Sequence, residues 1–335
     1  MMRWLVIATT LAVVAISVSA AWISSLLEPL SDDPMAPTHT FEIVQGSALG
    51  AVTRELESAA MIKDARAMNW LARLQQRAGR LHVGEYEVSP TMTPDEILDM
   101  ITTGKVKLHT VTVPEGLRAR EIAARLAEAG LTDADAFLEV VSDPTFAESV
   151  GFNERTLEGY LFPDTYRMAK GLPAKDVARA FVDQFMRVWA ELEPLAKERG
   201  LSMHEVVTLA SIVEKETGDP SERPLIAAVF LNRLDKGMRL ETDPTVIYGI
   251  ADFDGNLKKR HLLDASNPYN TYKIRGLPPG PIASPGEDAL RAVLNPADSD
   301  YLYFVSRNDG THYFSVTYRE HVNAVNQYQK RRRSR

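Results

Sequence analysis

The chain has 335 residues, of which 45% are hydrophobic and 25% are charged, and its net charge at pH 7 is −7. This composition is typical of a folded protein and excludes a largely disordered chain. The negative charge provides no general attraction to nucleic acid. Because the sequence contains no cysteine, disulfides, thiolate catalysis and cysteine-ligated metal sites are excluded. The length is sufficient for two folded domains.

The N-terminus carries an apolar segment in which no residue from Trp4 to Leu27 is charged. The segment exceeds the roughly 20 residues that cross a bilayer core, and Arg3 favours a cytoplasmic N-terminus. We therefore predict a cytoplasmic stub over 1–3, a transmembrane anchor over 4–27, and a periplasmic or other extracytoplasmic location for the remainder. A cleaved signal peptide is the alternative, since Val18–Ala20 resembles a cleavage site. The apolar run continues beyond that site, which favours an anchor.

A short linker over 28–38 precedes a predicted small module over 39–104. Alternating apolar residues indicate strands at Thr40–Val44 and Gly84–Val88. Helical periodicity predicts helices over 48–60, 64–77 and 93–101. This pattern resembles a LysM-like sugar-binding module.

The region 105–329 is predicted to be mainly helical, so the fold class of the whole chain is α+β. It begins with a predicted strand over 105–113, and Asp309-Gly310 between two apolar runs predicts a β-hairpin from 301 to 316. The basic tail 330–335 is predicted to be solvated and disordered. The helices expected from periodicity cover 119–129, 133–141, 174–199, 202–217, 221–234 and 318–330.

The predicted helix Ser202–Thr217 carries two glutamates near its end. Ser202 and Glu205 fit a capping box, in which each side chain bonds a backbone N–H of the first turn. Glu216 continues the apolar stripe of this helix, whereas Glu214 lies on another face. Burial there would raise the pKa of Glu216, as a general acid requires. A frayed and solvated helix end remains the alternative.

Two further stretches are rich in groups that bind polar ligands. The segment 156–166 combines aromatic rings and carboxylates around a glycine and a proline, which suits a loop that lines a polar cleft. A structural turn with its aromatic rings packed inward is an equal alternative. The chain from Gly237 onward is rich in proline, glycine, asparagine and tyrosine, which indicates ordered loops that carry a binding face.

No metal and no cofactor are predicted. His204-Glu205 begins like a zinc-protease motif, but Thr208 stands where the second histidine would be. The other histidines are scattered, and no phosphate-binding glycine loop is present. The remaining chemistry consists of carboxylates and aromatic rings on an exported protein. Glycan cleavage suits this set, because it requires positioned carboxyl groups.

Six motifs stand out from residue 157 onward: Leu157–Tyr166, Ala210–Thr217, Phe230–Leu234, Gly237–Tyr248, Tyr269–Tyr272 and Gly276–Gly280. Through these motifs, the sequence resembles the MltG (YceG-like) family of endolytic murein transglycosylases from about residue 40 to residue 325. One departure is Glu241, where the family often carries Gln, and an additional acid there would alter the electrostatics of a cleft.

The resemblance implies a peptidoglycan lyase that cleaves the MurNAc–GlcNAc β-1,4 bond and forms 1,6-anhydro ends. It maps the catalytic acid onto Glu216 and implies that Glu214 is structural. Peptidoglycan strands, the cytoplasmic membrane and peptidoglycan synthases are the implied partners. A non-catalytic glycan-binding protein and a water-using muramidase are the alternatives. Candidates for substrate contacts are Glu158, Tyr160, Asp164, Tyr166, Asn232, Asp243, Tyr248, Tyr269, Asn270 and Tyr272.

Overall fold

The computed structural model describes residues 2–330 of the chain. Of the predicted basic tail, only Lys330 is therefore described, and residues 331–335 lie outside the described part. The fold is mixed α/β and about half helical. The chain divides into two compact units, one formed by residues 1–109 with 169–171 and the other by residues 110–168 with 172–335.

The apolar N-terminal segment forms one helix, α1 (Met2–Leu26). Within it, Thr9–Leu26 has a mean hydropathy of 1.7, and none of this stretch is buried by the rest of the protein. A helix of this length and composition fits a membrane anchor or a signal sequence.

The smaller unit contains two strands, three further helices and a separate hydrophobic core. Its strands pair antiparallel, with Phe41 opposite Tyr86, and these two rings stack at 5.7 Å between centroids. The inward positions of the strands and the apolar faces of the helices bury this core. Its elements are β1 (His39–Ile43), α2 (Leu49–Ser58), α3 (Ala65–Leu74), β2 (Gly84–Val88) and α4 (Pro94–Thr103).

The larger unit is mainly helical and has one extensive core. Its first half includes two paired strands and the long helix α8, which is closed by Gly200 in a left-handed conformation. The elements in this half are β3 (His109–Thr112), α5 (Ala119–Glu128), α6 (Ala134–Val141), α7 (Pro144–Ser149), β4 (Thr165–Met168), α8 (Ala174–Arg199) and α9 (Met203–Glu216).

The second half of this unit adds short helices and a pair of antiparallel strands in which Phe304 lies opposite Phe314. A 3₁₀ turn at Pro220–Glu222 precedes α10, and a π turn at Asn326–Lys330 follows α14. The elements are α10 (Arg223–Asp235), α11 (Asp243–Tyr248), α12 (Lys259–Leu263), α13 (Glu287–Leu294), β5 (Tyr303–Ser306), β6 (His312–Ser315) and α14 (Tyr318–Val325).

The structure corrects several sequence-based expectations. The strand predicted over 105–113 is only the short β3. The helix predicted over 221–234 begins only at Arg223, because Asp219 accepts the backbone N–H of Ser221 and begins a 3₁₀ turn before it. The region after Gly237 was expected to consist of loops before the hairpin, but it contains α11, α12 and α13. These helices have five to eight residues, which is too short for a periodic pattern to appear.

Candidate active site

The helix α9 is held in the middle of the larger unit. The predicted capping box is confirmed, since Ser202 Oγ accepts the N–H of Glu205 and Glu205 Oε2 accepts the N–H of Ser202. Every residue from Val206 to Val213 is buried, so the helix is enclosed on all faces and does not carry a single apolar stripe. Its last residue is Glu216, and the chain then becomes extended at Thr217.

Glu216 is partly buried and holds a specific hydrogen bond, so the frayed and solvated end considered above is wrong. Its carboxylate oxygen Oε1 accepts the hydroxyl proton of Thr242. Burial raises the pKa of Glu216 to about 7, against the lowering effect of the Thr242 hydrogen bond. The neighbouring carboxylate of Asp243 raises this pKa further, whereas His312 and Arg233 lower it. A carboxyl with this pKa is substantially protonated at neutral pH.

Glu216 lines a cavity of about 350 Å³. The cavity combines three acidic side chains, one arginine and several aromatic rings, which is a suitable lining for a polar ligand with flat faces. The residues that line it are Glu216, Arg233, Leu240, Glu241, Thr242, Asp243, Tyr272, Tyr303, Phe304, Tyr318 and His321.

Arg233 is the cation of this cavity and is fixed by the surrounding backbone. Its Nε donates to the carbonyl of Leu302 at 2.7 Å and its Nη1 donates to the carbonyl of Leu240 at 2.7 Å. The guanidinium lies over the Tyr303 ring, 5.2 Å from its centroid, and Glu241 Oε2 is 3.7 Å from Nη1. These contacts immobilise the guanidinium, so Arg233 holds a fixed positive charge near Glu216.

A buried glutamate, Glu222, and a histidine, His312, form a hydrogen-bonded pair near the cavity. Glu222 accepts both the backbone N–H of His312 at 2.8 Å and a hydrogen bond from ring Nδ1 at 2.7 Å. The imidazole packs edge-on against Phe304, which lines the cavity. This arrangement fixes the imidazole ring whose electrostatic interaction with Glu216 lowers the pKa of that carboxyl.

Glu214 lies in a separate environment from Glu216. Its Oε1 accepts from Arg223 Nη2 at 2.7 Å, and its Oε2 accepts the backbone N–H of Gly286 at 3.1 Å. Burial raises the pKa of Glu214. Arg223 in turn bonds Glu115 at 2.9 Å. Through these contacts Glu214 connects α9 to α10 and to the turn before α13, which is a structural role.

A second carboxyl with a raised pKa is Glu158. Burial raises its pKa to about 7, although it accepts the N–H of Ala119 at 3.0 Å and the hydroxyl of Tyr248 at 3.3 Å. The rings of Tyr248 and Tyr269 pack at 4.6 Å between centroids, and Arg118 lies 5.0 Å from the centre of the Tyr248 ring. All of these side chains are partly accessible.

The helix α11 connects the two acidic clusters. Asp243 at its start lines the Glu216 cavity and accepts the hydroxyl of Tyr272 at 2.8 Å. Tyr248 at its end bonds Glu158. A helix rises 1.5 Å per residue, so the two ends of α11 are separated by about 7.5 Å along the axis. Such a spacing places the two clusters within the length of a short oligosaccharide.

The other candidates have structural contacts. Tyr160 is buried and bonds His204, and buried Tyr166 donates to the carbonyl of Phe162. Asn270 donates to the carbonyl of Asp264 at 2.6 Å and is fully buried. Asn232 donates to the carbonyls of Ser299 and Tyr301. Exposed Asp164 accepts from Gln184 at 2.7 Å. The segment 156–166 thus has its aromatic rings packed inward, which was the structural alternative.

Several cavity residues were missed by the sequence reasoning. Thr242 and Arg233 lie within motifs that were recognised, but neither carries a signal that separates a site residue from a packing residue. Tyr303 and Phe304 were assigned only to a strand, and Tyr318 and His321 only to the final helix. The hairpin and α14 reach Glu216 through tertiary packing, which local patterns do not report.

The fold and the cavity define a candidate acid–base enzyme, in which Glu216, a carboxyl with a raised pKa, faces an aromatic-lined cavity. Residues 41–327 match the model of the YceG-like family, and the chain belongs to that family. It is 33% identical over 323 residues to the endolytic murein transglycosylase of Bacillus subtilis, covering 91% of this chain and 88% of that protein.

Two further proteins are similar to this chain. The endolytic murein transglycosylase of Streptococcus pneumoniae serotype 2 is 29% identical over 314 residues, which cover 84% of this chain and 57% of that protein. The crystal structure of a YceG-like protein from Listeria monocytogenes superposes with a TM-score of 0.60 at 34% identity. That match covers 85% of this chain and 98% of the other.

Proposed function

We propose that this protein is an endolytic peptidoglycan lytic transglycosylase. It would cleave the MurNAc–GlcNAc β-1,4 bond within glycan strands and leave 1,6-anhydro-MurNAc ends, which makes it a polysaccharide lyase. The observation that carries the proposal is Glu216, a carboxyl with a pKa near 7 in an open cavity. The family membership and the name of the Bacillus subtilis relative support it.

The reaction needs one carboxyl that works in both directions. Protonated Glu216 donates its proton to the glycosidic oxygen as the bond from C1 to that oxygen breaks. The resulting carboxylate takes the proton of the C6 hydroxyl of the same MurNAc, and the C6 oxygen bonds to C1. The acid is thereby regenerated, and the intramolecular attack does not require a positioned water. Arg233 would stabilise the transient carboxylate by its positive charge.

The substrate would lie along α11. Asp243 and Tyr272 would contact the sugar beside Glu216, and Tyr248, Tyr269 and Glu158 would contact a sugar further along the strand. We propose supporting roles for Tyr160, Asp164, Tyr166, Asn232 and Asn270, because their polar atoms hold the surrounding backbone and side chains.

The domain assignment follows from the same reasoning. Residues 105–329 would form the catalytic domain and residues 39–104 a LysM-like glycan-binding module, with the paired strands β1 and β2 flanking α2 and α3. The helix α1 would anchor the protein in the inner membrane, with the catalytic domain outside the cytoplasm. There the enzyme would shorten or terminate nascent strands beside peptidoglycan synthases.

Product masses test this function. The full chain in detergent is incubated with uncrosslinked glycan strands, and the fragments are measured by mass spectrometry. We expect fragments that are lighter by one water than hydrolytic fragments of the same composition, because ring closure replaces the attack of water. Reducing ends would instead identify a muramidase, and intact strands would identify a glycan-binding protein.

A further inference from the structure

The outward face of α3 carries an unusual set of side chains for an acidic protein. Arg66, Trp70, Arg73 and Leu74 follow each other at helical spacing on this face and are exposed. Trp70 is 52% exposed and Leu74 is 64% exposed. The opposite face of α3 is buried in the core of the smaller unit. The exposed face therefore combines positive charge with a large aromatic ring and an aliphatic side chain.

A cavity of about 880 Å³ lies beside this face, and three arginines line it: Arg54, Arg66 and Arg73. Within residues 2–330, none of the three guanidinium groups has an ion-pair, hydrogen-bond or cation–π partner. The cavity also contains two carboxylates, Glu57 and Asp64, which accept the N–H groups of Ala65 and Ala67 and do not pair with the three arginines. The cavity therefore has unpaired guanidinium groups available for an anion, and their planar donor geometry suits phosphate.

A second, smaller cavity of about 300 Å³ joins the same face to the end of α1. Arg66 and Trp70 line both cavities. The remaining lining of the smaller cavity includes Trp22, Ile23 and Leu26 of α1, and Trp22 is 64% exposed. The cavity with the arginines and the more apolar cavity therefore lie on either side of Arg66 and Trp70, next to the end of the proposed anchor.

The end of α1 is attached to the small unit by polar contacts. Lys63 donates to the carbonyl of Ser25 at 2.9 Å and lies 3.6 Å from the carboxylate of Glu28. Further along, the N–H groups of Leu30 and Ser31 both donate to the carbonyl of Pro90. These bonds hold the small unit against the end of α1. If α1 spans the bilayer, α3 begins at the level of the lipid headgroups.

We propose that the outward face of α3, together with Arg54, binds the phosphate headgroups of anionic phospholipids in the leaflet where α1 ends. This inference rests on the proposed anchoring role of α1. Tryptophan prefers the membrane interface, and each basic residue near an anionic surface strengthens binding about fivefold. The face would orient the small unit on the membrane surface and so determine how far from the bilayer its glycan contacts lie.

The test uses the full chain in nanodiscs whose lipids are brominated near the headgroup end of the acyl chains. Bromine quenches nearby tryptophan, and the difference between the unsubstituted chain and Trp70→Phe isolates the signal of Trp70. We expect the Trp70 signal to be quenched strongly in discs containing phosphatidylglycerol and weakly in phosphatidylcholine discs. Salt should reduce the difference, because ions screen the headgroup charges.

Matched variants identify the contribution of the arginines. Arg66→Gln with Arg73→Gln should shift the balance between docked and undocked units about 30-fold and remove the lipid-dependent quenching. Lys175→Gln with Arg179→Gln removes two exposed cations from α8 and should leave the quenching intact. Equal quenching of Trp70 in both lipids, or quenching that survives the loss of Arg66 and Arg73, overturns the proposal.

The same measurement separates a failure of the anchor from a failure of the lipid face. In Trp70→Phe, the remaining tryptophans are Trp4, Trp22 and Trp189, and Trp189 is buried in the core of the larger unit. Quenching of this variant in both lipids reports insertion of α1. Loss of that quenching contradicts the anchor, whereas its persistence without lipid-dependent quenching of Trp70 contradicts only the docking face.

Discussion

At the scale of single residues, the function depends on a carboxyl that is buried enough to remain protonated and open enough to reach a ligand. Glu216 meets both requirements, because it ends an enclosed helix and lines the cavity. Glu158 has a similarly raised pKa, so the pKa alone does not distinguish the two acids. The contacts of the two acids differ, because Glu158 accepts the backbone N–H of Ala119 and thereby holds the first turn of α5.

Glu216→Gln should abolish glycan cleavage while the protein remains folded, because the amide N–H is far too weak an acid to protonate the glycosidic oxygen and Gln has nearly the same shape. Glu214→Gln is the matched control on the same helix. It weakens the bond to buried Arg223, which should lower stability by about 1–3 kcal/mol, but the folded variant should still cleave. Anhydro-product formation and thermal unfolding measure the two effects. Equal loss of cleavage in both variants contradicts the assignment.

The pH dependence of activity should follow the protonation of Glu216. Because the free enzyme must carry this proton to act as an acid, kcat/KM should fall about tenfold per pH unit above about 7. The Thr242 hydroxyl stabilises the carboxylate, so Thr242→Val should move the falling limb to higher pH. A pH–rate profile in which only the amplitude changes would show that Thr242 positions Glu216 without tuning its pKa.

At the scale of elements, the backbone at Gly159 packs closely against the side chain of Pro281 in the larger unit. Gly159 has φ +86, and a Cβ at this position would clash with the side chain of Pro281. Gly151 has a similar φ of +95 but nothing within 4 Å of the corresponding position. An alanine at either position would therefore suffer backbone strain, but only an alanine at 159 would also clash with a neighbouring side chain.

Both Gly151→Ala and Gly159→Ala should lose about 1 kcal/mol of unfolding free energy from the left-handed conformation. Gly159→Ala should lose about 1–3 kcal/mol more, because the added methyl overpacks against Pro281. Denaturant unfolding of the two variants measures the difference. An equal loss in both would mean that the 159 segment moves easily away from Pro281.

At the scale of the whole molecule, the N-terminal helix fits either a membrane anchor or a signal sequence. An uncleaved anchor predicts that protein recovered from membranes has the mass of the full chain, 37.2 kDa. A cleaved signal peptide ending near Ala20 would give a mass about 2 kDa lower and a new N-terminus. Intact mass spectrometry of both the membrane fraction and the soluble fraction distinguishes the two outcomes.

Local sequence patterns determined much of the fold. The capping box of Ser202 and Glu205 and the long helix Ala174–Arg199 were predicted from spacing alone, because caps and periodicity are short-range properties. The short helices after Gly237 were missed. Their apolar faces are defined by the core that they cover, as with α13.

The sequence by itself determined the apolar N-terminal segment and the family resemblance, since these depend on composition and motifs, and the resemblance predicted Glu216 over Glu214 as the acid. Only the tertiary structure decided what surrounds Glu216. Arg233 comes from α10, Thr242 from the segment before α11, Tyr303 from strand β5 and His321 from α14. The tertiary structure also placed the rings of Tyr160 and Tyr166 in the core. The physical reason is that a pKa and a cavity arise from groups distant in the chain, whose proximity only packing creates.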